Sequence, residues 1–139
     1  WHRDKEQAGF TDSAQTPWLP IPVEHKASAV NVQSADPSSV FHKTRALIEF
    51  HRTEAAFHSS QIHVVDSPDD LLVFERGTGE HAMLCIFNLS DQPIPFELPA
   101  KWRRASTRKA SQGIDADADQ PTSLYEPWSW RFLSSHSPG

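Results

Sequence analysis

The hydrophobic and polar positions along this chain change period once, near residue 60. Residues 1–35 show neither a helical nor a strand period, and Pro17, Pro20 and Pro22 punctuate polar clusters, so the pattern predicts a long irregular segment. Such a loop is uncommon in a compact domain unless it serves a site or lies on a neighbour. Asp36 is a good helix cap and Pro37 suits the first helical position, where its missing N–H is harmless. Val40, Phe41, Thr44, Leu47, Ile48, His51 and Ala55 follow at steps of three and four, predicting an amphipathic helix that ends near Phe57. The stripe needs a cover that the preceding loop cannot supply.

From Gln61 the period becomes two, or short apolar runs: Ile62 to Val65, Leu71 to Arg76, Ala82 to Leu89, Ile94 to Leu98 and Trp128 to Leu133. Gly77-Thr78-Gly79-Glu80 has the length and composition of a hairpin loop, which makes the flanking strands antiparallel neighbours. Ala110 to Gln120 reads as an exposed loop. The fold class expected is an α+β arrangement in two parts: an irregular loop with one long helix over 1–60, then a small antiparallel β-sandwich over 61–139.

Composition narrows this picture. The chain has 139 residues, with 13 basic and 18 acidic side chains and a formal charge of -5, so nucleic acid is not the expected partner. An apolar share of 37% is low for a self-contained globule. The basic run Lys101, Arg103, Arg104, Arg108 and Lys109 precedes Asp115, Asp117 and Asp119, which should neutralise it locally as a solvated face. Cys85 is the only cysteine, so no disulfide forms within the chain, and a cytoplasmic setting is expected. No apolar run approaches the ~20 residues of a membrane span.

Candidate chemistry is sparse. Asp115, Asp117, Asp119 and Glu126 stand at calcium-loop spacing, but Gln120 and Pro121 occupy positions that need other residues, so an acidic surface loop is the better reading. The 8 histidines, His2, His25, His42, His51, His58, His63, His81 and His136, show no metal-ligand spacing; His51 and His58 share a helical face as partly buried fillers. Trp128, Trp130 and Phe132 alternate, so one strand would present all three on one face, more as core than as a sugar-stacking row. Cys85, between Leu84 and Ile86, reads as a small core residue and not an activated thiolate. Asn88-Leu89-Ser90 matches a glycosylation sequon that a cytoplasmic chain leaves idle. Neither catalytic nor metal-binding residues, nor a cofactor site, can be assigned.

The order of short motifs resembles the C-terminal part of the α-glucosidases of glycoside hydrolase family thirteen. Trp1, Ala8-Gly9-Phe10 and Pro17-Trp18-Leu19-Pro20-Ile21 resemble a loop late in the family's (β/α)8 barrel. Val30-Asn31-Val32-Gln33, Asp36-Pro37-Ser38-Ser39-Val40 and Arg45-Ala46-Leu47-Ile48 are similar to the entry and body of the last barrel helix. Leu84-Cys85-Ile86-Phe87-Asn88-Leu89-Ser90 resembles a central strand of the β-sandwich that follows. The likeness covers about residues 1–99 and the closing strand. It departs at His51, where the family more often has Arg, and at Glu54-Ala55, where His-Pro is usual.

The resemblance implies a parent that hydrolyses α-glucosidic bonds of short oligosaccharides. Its Asp nucleophile, Glu acid/base and stabilising Asp stand at the ends of barrel strands that would precede Trp1. It follows that this polypeptide alone should be inactive, the missing barrel being the expected partner. Two other classes stay open: a carbohydrate-binding sandwich using Trp128 and Trp130, and a catalytically inactive scaffold relative such as the heavy subunits of amino-acid transporters.

Overall fold

The computed structural model describes residues 1–11, 15–108 and 122–135. Its contacts divide the chain into two compact units, Trp1–Glu49 and Phe50–Gly139.

The first unit corrects the expectation of an irregular segment over residues 23–35, where two short helices form. A 3-10 turn, Glu6–Gly9, precedes helix α1 (Val23–Ala27), helix α2 (Val30–Ala35) and helix α3, Val40–Thr53, whose last residues from Phe50 belong to the second unit. Helices of 5 and 6 residues are too short to display a period, which is why the pattern missed them. Pro22 supplies the extended residue ahead of α1, with φ -60° and ψ 151°.

Helix α3 begins at Val40, not at Pro37. The Asp36 carboxylate accepts from the Ser38 N–H at 2.9 Å and the Ser38 hydroxyl at 2.7 Å, and so closes a local turn instead of capping the helix. These bonds hold the Asp36 carboxyl below its usual pKa. Ser39 takes over the cap, its oxygen accepting from the His42 N–H at 3.4 Å. Beyond Thr53 the chain tightens into a 3-10 turn, Ala55–His58, short of the expected helix end.

Hydrogen bonds, more than packing, hold the first unit. Gln33 joins three places: its amide donates to the Ser28 carbonyl at 2.8 Å, its side-chain oxygen accepts from the Phe41 N–H at 3.0 Å, and its carbonyl accepts from the Ser39 hydroxyl at 2.7 Å. Among the described residues of this unit only Ala8 and Ala29 are buried.

The second unit is a sandwich. Strands β1 (Ile62–Val64), β2 (Leu71–Arg76), β3 (Met83–Asn88), β4 (Ile94–Glu97), β5 (Ser106–Thr107), β6 (Thr122–Tyr125) and β7 (Trp130–Ser134) form two sheets, one of five strands ordered β1-β2-β3-β7-β5, the other pairing β4 with β6. All pairings among the described residues are antiparallel. The expected hairpin joins β2 to β3, with Arg76 opposite Met83. Gly77 has φ +72°, and a Cβ there would meet the Ala56 Cα at 3.1 Å, so this turn needs glycine on two counts.

Between the sheets lie Leu71, Val73, Leu84, Ile86 and Leu133, met by Phe96, Leu98, Trp102 and Tyr125. The other face of the larger sheet carries an aromatic chain: Phe74 stacks on Phe87 at 5.9 Å, Phe87 meets Phe132 at 5.7 Å, and Phe132 packs against Phe50 at 4.9 Å and Phe57 at 6.1 Å. Arg76 Nη2 fastens the same turn, donating to the carbonyls of Phe57 at 3.1 Å and Ser59 at 2.9 Å.

Candidate functional site

Two places were built by features the sequence singled out: the proline-rich loop and the turns beside the closing strand. In the first unit, Trp1, Phe10, Pro17, Trp18, Ile21 and His25 line a concavity of about 420 Å³. It is fixed by backbone ties. The His2 N–H donates to the Ala8 carbonyl at 2.9 Å, Arg3 N–H to the Asn31 side chain at 2.9 Å, and Trp1 meets Phe10 edge-on at 5.7 Å. Among the described residues its lining offers apolar contact and one imidazole. Trp18 is 94% exposed.

The row Trp128, Trp130 and Phe132 does not form. Trp128 stands outside β7 with φ 57°, in the turn before the strand. Trp130 is half-buried and Phe132 buried, on the aromatic face and not between the sheets. The residue between them, Arg131, is 1% exposed. Its guanidinium donates to the Thr107 hydroxyl at 3.0 and 3.2 Å and to the Ser123 hydroxyl at 3.2 Å. Burial beside it raises the Tyr125 phenol, which the Arg131 charge only partly offsets.

Cys85 is fully buried, and desolvation pushes its thiol to about 12, which agrees with an inert core residue. Among the described residues no group of three or more His, Cys, Asp and Glu could hold an ion. His51 and His58 are exposed, not partly buried, because the helix ends before His58. His51 stacks on Phe57 at 5.1 Å and His58 Nε2 lies 2.9 Å from the Arg52 carbonyl oxygen. Asp115, Asp117, Asp119, Gln120, Pro121, Lys109 and His136 lie outside the described residues.

Three members of the basic run have carboxylate partners among the described residues. Lys101 Nζ lies 2.7 Å from a Glu75 oxygen, Arg103 pairs with Glu97 at 2.6 Å, and Arg108 pairs with Glu54, so strand and turn carboxylates supply the partners. Trp102 Nε1 also donates to Glu75 at 2.8 Å. Burial raises the Glu75 carboxyl, but the hydrogen bonds from Lys101 and Trp102 outweigh it and leave the group below its usual value.

Asn88 belongs to the sequon, and its role is internal. At 2% exposure, its amide donates to the carbonyls of Gln92 at 2.7 Å, Tyr125 at 2.9 Å and Glu126 at 3.0 Å, while its oxygen accepts from the Ser90 N–H and hydroxyl at 2.9 and 2.8 Å. The residue stitches the turn after β3 to the turn after β6.

No protein-family model matches the chain. A probable alpha-glucosidase of Rhizobium meliloti is 40% identical over 89 residues, 64% of this chain and 16% of that protein. An oligo-1,6-glucosidase of Parageobacillus thermoglucosidasius is 30% identical over 97 residues, 69% of this chain and 17% of that protein. The chain belongs to glycoside hydrolase family thirteen. It spans about a sixth of the length of these family relatives. Solved structures share its fold: the alpha-glucosyl transfer enzyme XgtA, at 26% identity and TM-score 0.74, covers 96% of this chain with 24% of its own. The trehalulose synthase MutB of Pseudomonas mesoacidophila MX-45, at 25% identity, aligns over 94% of this chain and 24% of its own with TM-score 0.78. The loop, long helix and antiparallel sandwich expected from the resemblance are the architecture observed. Glu54, one of the positions where the resemblance departs, pairs with Arg108.

Proposed function

We propose that the chain is the C-terminal portion of an α-glucosidase that hydrolyses α-glucosidic bonds of short oligosaccharides. In this reading residues 1–60 close the (β/α)8 barrel and residues 61–139 are the all-β domain behind it. The observation that carries it is the 40% identity to a probable alpha-glucosidase over 16% of that protein's length. The exposed stripe of α3 supports the division, because Val40, Phe41 and Ile48 are apolar groups with 71, 36 and 56% of their surface in solvent. Covered by a barrel, each would contribute roughly 1.5–3 kcal/mol.

Retaining hydrolysis needs two carboxyls held about 5 Å apart on rigid strands, one to attack the anomeric carbon and one to protonate the leaving oxygen. This polypeptide's part is support: it seats the last barrel helix and presents the rim concavity around Trp1 and Trp18 to the substrate side. The genomic region encoding the chain tests the reading. A frame running upstream through three carboxylates at barrel-strand ends, whose product releases glucose from maltose or isomaltose while the 139-residue chain releases none, is the expected result. Glucose release by the 139-residue chain itself would overturn it. A frame without those carboxylates would instead favour an inactive scaffold.

A further inference from the structure

The turn at residues 126–129 holds an aromatic ring where a ring is hard to hold. The Ser129 N–H donates to the Glu126 carbonyl at 3.2 Å, Pro127 occupies the second position, and Trp128 occupies the third with φ 57°. Proline fixes a negative φ at the second position, so the positive φ at the third makes this a type II turn, whose third position favours glycine or asparagine. An indole there is strained. Burial does not compensate it, since Trp128 is 63% exposed.

What lies beneath is rigid. The Trp128 N–H donates to the Ser90 carbonyl at 3.2 Å, the Asn88 N–H donates to the Ser129 carbonyl at 2.9 Å, and the buried Asn88 amide binds both turns from below. The same two turns carry exposed Leu89, Asp91, Gln92 and Glu126. One ring and one leucine fall far below the roughly 1,000 Å² a specific protein interface requires. Asp91 and Glu126 disfavour anions. A pyranose satisfies both halves of the surface, its C–H face lying on the indole and its hydroxyls donating to carboxylate and amide oxygens.

We infer that Trp128 is the stacking platform of a glycan-binding site, with Asp91, Gln92 and Glu126 as its hydrogen-bonding rim. That the glycan is α-glucosidic rests on the proposed parent activity; the site itself rests on the turn. The test is calorimetric titration of the 139-residue chain with maltotriose, isomaltotriose and cellotriose, beside thermal melts of Trp128→Gly and Trp128→Phe. Expected is saturable binding of an α-linked trisaccharide with Kd on the order of 1 mM, weakened at least about tenfold in Trp128→Gly and less in Trp128→Phe. Trp128→Gly should melt higher than the parent chain, because glycine relaxes the turn, which separates loss of the ring from loss of the fold. Unchanged affinity in Trp128→Gly, or no binding of any of the three sugars by the folded chain, overturns the inference. Trp128-dependent binding of cellotriose alone supports the site and overturns the α-glucosidic reading beneath it.

Discussion

Helix α3 and strand β3 are both rich in apolar residues, yet their fates differ. Leu84, Cys85 and Ile86 are fully buried, whereas Val40 and Ile48 are mostly in solvent. The second unit closes a core between its sheets, while the first is tied by side-chain and backbone hydrogen bonds around two buried alanines. The apolar pattern states what needs covering. It does not state whether the cover is encoded in the same polypeptide.

The sharpest way to break this comparison is to remove equal apolar groups from both places. Ile86→Ala should destabilise the chain by about 2–5 kcal/mol, through lost transfer energy and a cavity, while Ile48→Ala should shift it by less than about 0.5 kcal/mol. Urea unfolding measures both, and equal losses would erase the distinction. In a longer protein that covers α3, Ile48→Ala should approach the core value.

Asn88→Ala comes next. It leaves the carbonyls of Tyr125 and Glu126 without the amide and should cost roughly 2–3 kcal/mol. A change under about 0.5 kcal/mol in the same assay would mean that the turns hold without the stitch. Glu54→Gln, which breaks the pair with Arg108, should cost about 1 kcal/mol, since both side chains are partly exposed at 18 and 30%. A double-mutant cycle with Arg108→Ala isolates this coupling.

The smallest effect is on pH dependence. Glu75 has a lowered folded-state pKa, so the unfolded chain takes up its proton first. Its contribution is full above the ordinary value of 4.5 and disappears as pH falls through the lower folded value. Glu75→Gln should therefore flatten the acid side of the stability curve below about pH 4.5 and leave its neutral side shifted by a constant. An unchanged acid limb would show that Lys101 and Trp102 do not hold the charged form.

The strands with an outward or inward apolar rhythm were legible, and so was the β2–β3 hairpin. Strand β6 was not, because its alternation is inverted: Ser123 and Tyr125 point inward at 6 and 0% exposure, while Leu124 is 53% exposed. Ser123 is inside because Arg131 needs its hydroxyl, and nothing local to residues 122–125 announces that. Trp128 misled for the opposite reason, as its spacing suits a strand while Pro127 and the Ser129 hydrogen bond make a turn. The concavity around Trp1 and Trp18 was not legible, because its walls depend on Trp1 and Phe10 meeting across residues that share no period.

The stitch made by Asn88 also fixes when this asparagine can be reached. Were the protein routed through a secretory pathway, an oligosaccharyltransferase would find the amide only on the nascent chain, before the two turns close over it. A sugar attached there would replace one of the two amide hydrogens that the carbonyls of Gln92, Tyr125 and Glu126 share, at a residue only 2% exposed, so a modified molecule should fail to close these turns.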